Sequence, residues 1–155
     1  MKHVILRFFF FLILNFSALY LGVFFSGEGG SSDWYSNLIR APWEPEGWVF
    51  GAAWTSIMIC FSIYMSIIWN RTSNKKLLLF FYSFQYILNV SWNPIFFSFH
   101  QLLIGLIVIL ILTCLIGFMF FYYKVDTRFC SIFILPYFVW LIIASSLNGY
   151  IFLYN

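Results

Sequence analysis

Five side chains between Gln85 and Phe96 carry most of the chemistry that this sequence can offer. On a helix, Gln85, Asn89, Trp92, Asn93 and Phe96 fall at i, i+4, i+7, i+8 and i+11, so three amides and two aromatic rings share one stripe. They sit inside an apolar run, residues 77–99, long enough to cross a bilayer as a helix. An amide at hydrocarbon depth needs a partner, so the stripe must face other helices or an enclosed cavity rather than lipid. A second stripe runs along the last apolar segment, where Tyr137, Trp140, Ala144, Leu147 and Asn148 follow helical spacing. Trp54, Trp92 and Trp140 lie too deep in their runs to belong to an interfacial belt. Flat aromatic walls with a few amides suit a large, flat, mostly apolar ligand. The same residues also suit a plain helix bundle whose aromatics fill space and whose amides bond across it. Spacing alone leaves both readings standing.

Conventional catalysis lacks its parts. His3 lies at the N-terminal end, His100 in a turn, and no carboxylate falls within an apolar run. Hydrolytic triads, metal sites and proton pumping all need such groups in the membrane. The last run has no lysine, which removes a retinal Schiff base. Cys60, Cys114 and Cys130 have no metal-ligand spacing and read as small hydrophobes. No obligatory cofactor is expected. There is no basic block to suggest nucleic acid. Transport of a neutral solute stays open, although no inverted repeat is visible.

The elements that must position these groups follow from composition. A chain of 155 residues is one domain by length, residues 1–155, and its 63% hydrophobic and 8% charged content excludes an ordinary soluble domain. The mean hydropathy is +0.93. Five apolar runs, about 4–25, 48–69, 77–99, 102–123 and 129–154, predict an all-α membrane protein, a bundle of five transmembrane helices. The first run also resembles a signal peptide, but it is long and lacks a small-x-small cleavage site, so a retained helix is the preferred reading. On it Asn15, Ala18, Leu19 and Gly22 form a small, polar face for close packing; Gly105, Ile109, Thr113 and Gly117 form another, suited to helix packing or self-association.

Residues 26–46 form the only long connection. Ser32 caps a short helix expected over 33–39, ended by Pro42. The segment reads either as a surface turn with Trp34 and Trp43 at headgroup level or as a lid; its aromatic content and length favour the lid. With five spans, one side carries Lys2, Arg7, Arg71, Lys75, Lys76, Lys124 and Arg128, and the other carries only Arg40 among basic residues, beside Glu28, Asp33, Glu44 and Glu46. In a bacterial inner membrane this bias places the N-terminus in the cytoplasm and the first loop and C-terminus outside.

Three stretches resemble the tryptophan-rich sensory protein family (TspO/MBR), which includes the mitochondrial translocator protein. WYSNLIRAPWEPEGWVFGAAWT, residues 34–55, is similar to its first-loop and second-helix signature. QYILNVSWNPIFF, 85–97, resembles its third-helix motif, and LPYFVWLIIASSLNGYIFLYN, 135–155, its fifth helix. The resemblance implies a five-helix bundle, usually a homodimer in membrane lipid, with a pocket under the first loop for porphyrins such as protoporphyrin IX or heme. It implies ligand contacts from Tyr35, Pro42, Trp54, Asn89, Trp92, Trp140 and Ala144; the helical stripes add Gln85 and Asn148. Some bacterial members are reported to promote light-dependent porphyrin breakdown, for which Trp54 and Trp140 are the photochemical candidates. The expectation is a receptor or sensor, with photo-oxidative porphyrin degradation or tetrapyrrole transport as alternatives. The chain departs from the family pattern at Glu46, Ala52 and Asn93, and Tyr150 has no basic residue after it to complete a sterol motif.

Overall fold

The computed structural model describes residues 2–124 and 128–155. Among them the regular structure is entirely helical: α1 Lys2–Phe25, α2 Asp33–Ser36, α3 Gly47–Arg71, α4 Lys75–Asn93, α5 Leu102–Tyr122 and α6 Leu135–Tyr154. Among the described residues four segments are long and apolar enough to cross a membrane: His3–Ser31, Gly47–Arg71, Leu102–Tyr122 and Phe129–Tyr154. Helix α4 falls short of that apolarity because Lys75, Lys76, Gln85, Asn89 and Asn93 interrupt it.

Helix α1 packs on α3 and α4, α4 on α5, α5 on α6, and α6 on α3, which closes a ring. Between helices in lipid, packing and hydrogen bonds replace the hydrophobic effect as the cohesive terms. Both are present. In the half that holds the basic residues, Phe61 stacks on Tyr82 at 6.1 Å and meets the Tyr137 ring edge-on at 5.3 Å. Beside them Asn15 Nδ2 donates to Ser62 Oγ at 2.8 Å, and the Tyr82 hydroxyl donates to Asn15 Oδ1 at 2.8 Å, tying α1, α3 and α4 together. Arg7 donates to Asn70, fixing the start of α1 beside the end of α3. The small face of α5 is used inside the chain. Gly105 lies against Phe96, Gly117 lies against Phe138, and Thr113 Oγ1 is 2.9 Å from Ser145 Oγ.

Three expected boundaries shift, each for a local reason. The run at 77–99 is α-helical only to Asn93; Pro94 has no N–H to continue the ladder, and Pro94–Ser98 widens into a π-helical turn closed by Phe99 N to Pro94 O at 2.9 Å. The last helix starts at Leu135, with Pro136 in its first turn, where a missing N–H is harmless, and 3₁₀ turns at Arg128–Phe133 precede it. Ser32 does cap α2, accepting from Tyr35 N at 3.2 Å, but α2 ends at Ser36, well before Pro42, because Leu38 N turns back to Tyr35 O. Residues 125–127, between the fourth and fifth apolar runs, lie outside the described residues.

Candidate functional site

The 26–46 connection crosses the end of the ring and is pinned on two sides. Towards α4, the Trp34 indole lies on the His100 imidazole and the Tyr35 ring packs edge-on against Phe96 and Phe97. Towards α6, Asn155 Oδ1 accepts from Ile39 N at 2.9 Å, Asn155 Nδ2 donates to Ile39 O at 3.2 Å, and Trp43 Nε1 donates to Ser146 Oγ at 3.1 Å. The C-terminal residue and the connection therefore share one end of the bundle. Arg7, Arg71, Lys75, Lys76 and Lys124 lie at the other.

Beneath the connection is a cavity of about 1130 Å³. That is slightly above the roughly 300–1,000 Å³ usual for small-molecule sites. Helix α3 supplies Phe50 and Trp54 to its wall, and α6 supplies Trp140, Ala144 and Asn148. Asn89 and Trp92 come from α4, and Phe96 from the π turn. The π turn matters here: it lets Trp92 and Phe96 stack at 5.2 Å with 15° between their planes, making one continuous flat wall. Opposite, Phe50 meets Trp140 edge-on at 5.4 Å. Trp92 Nε1 donates to Asn148 Oδ1 at 3.3 Å, and Asn148 Nδ2 donates to Ala144 O at 2.9 Å, so this amide is fixed by two bonds.

The mouth is polar. The Tyr35 hydroxyl donates to Glu44 Oε1 at 3.0 Å, and the same oxygen pairs with Arg40 at 3.3 Å. Burial first, and then the Glu44 charge, push the Tyr35 phenol above its ordinary value, so it stays a protonated donor across the physiological range. Glu46 accepts from the exposed Trp48 indole at 2.8 Å. Among the described residues no group of His, Cys, Asp and Glu side chains could hold a metal ion.

Seven of the nine residues singled out from sequence line the cavity: Tyr35, Trp54, Asn89, Trp92, Trp140, Ala144 and Asn148. Two do not. Pro42 sits in the connection away from the lining. Gln85 is buried one helical turn beneath Asn89, where its Oε1 accepts from the Tyr137 hydroxyl at 3.2 Å. Glu44 and Phe50 line the cavity without having been singled out. The spacing of Arg40 and Glu44, four residues apart, was the available signal for the first; Phe50 offered none beyond being one turn before Trp54.

Comparison with known proteins agrees with this architecture. The model of the TspO/MBR family matches residues 9–154. The chain is 31% identical over 124 residues to protein CrtK of Rhodobacter capsulatus, covering 74% of each. It is 29% identical to the tryptophan-rich sensory protein of Cereibacter sphaeroides, over 75% of this chain and 73% of that protein. With the human translocator protein the identity is 28%, over 81% and 75% respectively. A match across almost the whole chain, on an all-helical molecule with membrane-spanning segments, makes this an integral membrane protein that belongs to the TspO/MBR family.

Proposed function

We propose that this protein is a membrane receptor or sensor that binds porphyrins of the protoporphyrin IX type in the cavity under the first loop. The observation that carries the reading is the cavity itself: room for a large ligand, with Trp54, Trp92 and Trp140 on its walls and the amides of Asn89 and Asn148 among them. Aromatic faces stack on a macrocycle, and a few fixed polar groups orient it. The 26–46 connection then acts as a lid, and Arg40 at the mouth is the cation for a ligand carboxylate. The relatives named as a sensory protein and a translocator fit a binding role.

In this reading α4 crosses the membrane as a fifth span, its polar stripe shielded by α1, α5 and the cavity. The basic end faces the cytoplasm of a bacterial inner membrane, the lid and C-terminus face outwards, and the protein works as a homodimer in lipid. The test is a protoporphyrin IX titration in the dark, followed by tryptophan quenching and porphyrin absorbance. Saturable quenching supports the receptor; linear, unsaturable quenching removes it.

A second reading shares the same site. Trp54 and Trp140 line the cavity, within reach of any ligand that fills it, and no carboxylate or histidine stands with them on the α3 and α6 walls. A light-excited porphyrin bound there would exchange electrons with an indole and, with molecular oxygen as oxidant, be degraded. Loss of the porphyrin bands under light, abolished in Trp140→Phe, supports this reading; stable bands leave the receptor alone.

A further inference from the structure

The cavity floor is built on a chain of hydrogen bonds that has a direction. Asn89 Nδ2 donates to the Tyr137 hydroxyl at 2.6 Å, and that hydroxyl donates onward to Gln85 Oε1 at 3.2 Å. Gln85 and Asn89 lie one turn apart on α4, and Tyr137 reaches them from α6. A phenol has one proton. Given to Gln85, it leaves the oxygen free only to accept, which turns the Asn89 nitrogen towards α6 and leaves its Oδ1 as the uncommitted atom. Among the described residues no hydrogen bond reaches that oxygen, although Asn89 lines the cavity.

The chain is held rigidly. Tyr137 is 1% exposed and Gln85 3%. The Tyr137 ring is fenced by Trp54 at 6.0 Å and Phe61 at 5.3 Å, so it has no room to swing away from α4. The neighbouring amide is partly committed, because Asn148 Oδ1 already accepts from the Trp92 indole and has one lone pair left. From these contacts we infer that Gln85 and Tyr137 are positioning residues that lock Asn89 as a hydrogen-bond acceptor, so that the cavity, which takes a closed porphyrin by stacking alone, also takes flat, apolar ligands carrying an N–H donor on their edge and gains a hydrogen bond from them.

This inference rests on the reading of the cavity as a ligand site and sharpens which ligands it takes. A ligand that donates to the Asn89 oxygen gains a hydrogen bond there, whereas a ligand held by stacking alone is indifferent to which way the amide points. Among tetrapyrroles the distinction is plain. A closed porphyrin keeps its N–H groups inside the ring, whereas an open-chain tetrapyrrole presents lactam N–H groups at its ends.

The experiment has one arm without ligand and one with it. In the ligand-free full-length protein in detergent, the Asn89 side-chain amide is followed by ¹⁵N NMR, assigned through Asn89→Asp. The chain predicts one amide proton protected from exchange, with protection lost in Tyr137→Phe and in Gln85→Leu. It predicts protection retained in Gln85→Glu, which keeps an acceptor for the phenol. An Asn89 amide that exchanges freely in wild type means the chain runs the other way and overturns the inference. In the second arm, biliverdin and protoporphyrin IX are titrated in the dark by tryptophan quenching. Tyr137→Phe and Gln85→Leu weaken biliverdin about tenfold, change protoporphyrin IX by less than about twofold, and Gln85→Glu restores biliverdin binding. Equal losses for both probes, or no loss for either, overturn the selection by Asn89. If neither probe saturates wild type, the tetrapyrrole reading of the cavity fails and the selection falls with it, while the amide arm reports the chain separately.

Discussion

The Trp34 indole lies flat on the His100 imidazole, with ring centroids 4.0 Å apart and 13° between the planes. His100 holds a left-handed backbone, φ +54°, at the corner between the π turn and α5. That corner carries the imidazole out to meet the first loop, so one residue in a left-handed conformation on the α4 side anchors that loop. A stacked pair contributes about 0.5–1.5 kcal/mol beyond its buried area. His100→Asn keeps a residue tolerant of that backbone and removes the stack. Backbone amides 30–38 should then exchange several-fold faster by mass spectrometry, with α3 and α5 unchanged. Unchanged exchange at 30–38 would show that the Asn155 and Trp43 bonds alone hold the loop.

At the mouth, Glu44 occupies the Arg40 guanidinium at 3.3 Å and takes the Tyr35 hydroxyl at 3.0 Å. An anionic ligand group must compete with that carboxylate. Arg40 is exposed and Glu44 only partly so, and ion pairs at a surface are worth about 0.2–1 kcal/mol. Glu44→Gln should therefore tighten protoporphyrin IX by up to about fivefold while leaving its dimethyl ester unchanged. Arg40→Ala should weaken the acid and spare the ester. Titration of both forms by quenching checks the pair of variants.

Gly22 of α1 faces the Asn93 side chain of α4. A Cβ built on Gly22 would stand 2.6 Å from Asn93 Nδ2. The obstacle is the end of a side chain, which can rotate, so Gly22→Ala alone should cost little. Gly22→Leu cannot be accommodated that way and should lower stability by about 1–3 kcal/mol. Thermal unfolding in detergent measures it, and adding Asn93→Ser should recover part of the loss.

Asn15 ties three helices through Ser62 and Tyr82. Interhelical bonds in lipid average about 0.6 kcal/mol each. Asn15→Leu breaks the bonds to Ser62 and Tyr82 together with a longer one to Met58 O, and leaves the Tyr82 hydroxyl unpaired, so it should destabilise by about 1–2 kcal/mol. Tyr82→Phe should cost less than Asn15→Leu, because the Asn15 nitrogen keeps Ser62. Denaturant unfolding of both variants gives the ordering.

Particular residues show what the sequence could disclose. The stripe from Gln85 to Phe96 was legible because amides are conspicuous in an apolar run and helical spacing assigns them a face. That spacing could not give depth, so Gln85 and Asn89 looked equivalent although only Asn89 reaches the cavity. Ser32 was legible as a cap because the signal is local. The end of α2 was not, since Pro42 lies too far on to decide it. Pro94 announced an interruption, yet whether the helix kinks, stops or widens depends on what packs around it; here Gly105 leaves space for Phe96 of the π turn. The stack of Trp34 on His100 joins residues 66 positions apart in two loops, a pairing no periodicity encodes. Tyr137 was placed on the α6 stripe, but its link to α4 appears only when the two helices are seen side by side.

In the proposed function a porphyrin occupies the cavity lined by Ala144, Trp54 and Trp140. Ala144 is 7% exposed on the cavity wall, so Ala144→Phe puts a ring into the site from α6, far along the helix from the basic end. The most direct test titrates protoporphyrin IX in the dark against wild type and Ala144→Phe of matched thermal stability. Saturable tryptophan quenching in wild type, weakened at least about tenfold in the variant, is the predicted result. Equal saturable quenching in both would place the porphyrin elsewhere on the protein and contradict the account.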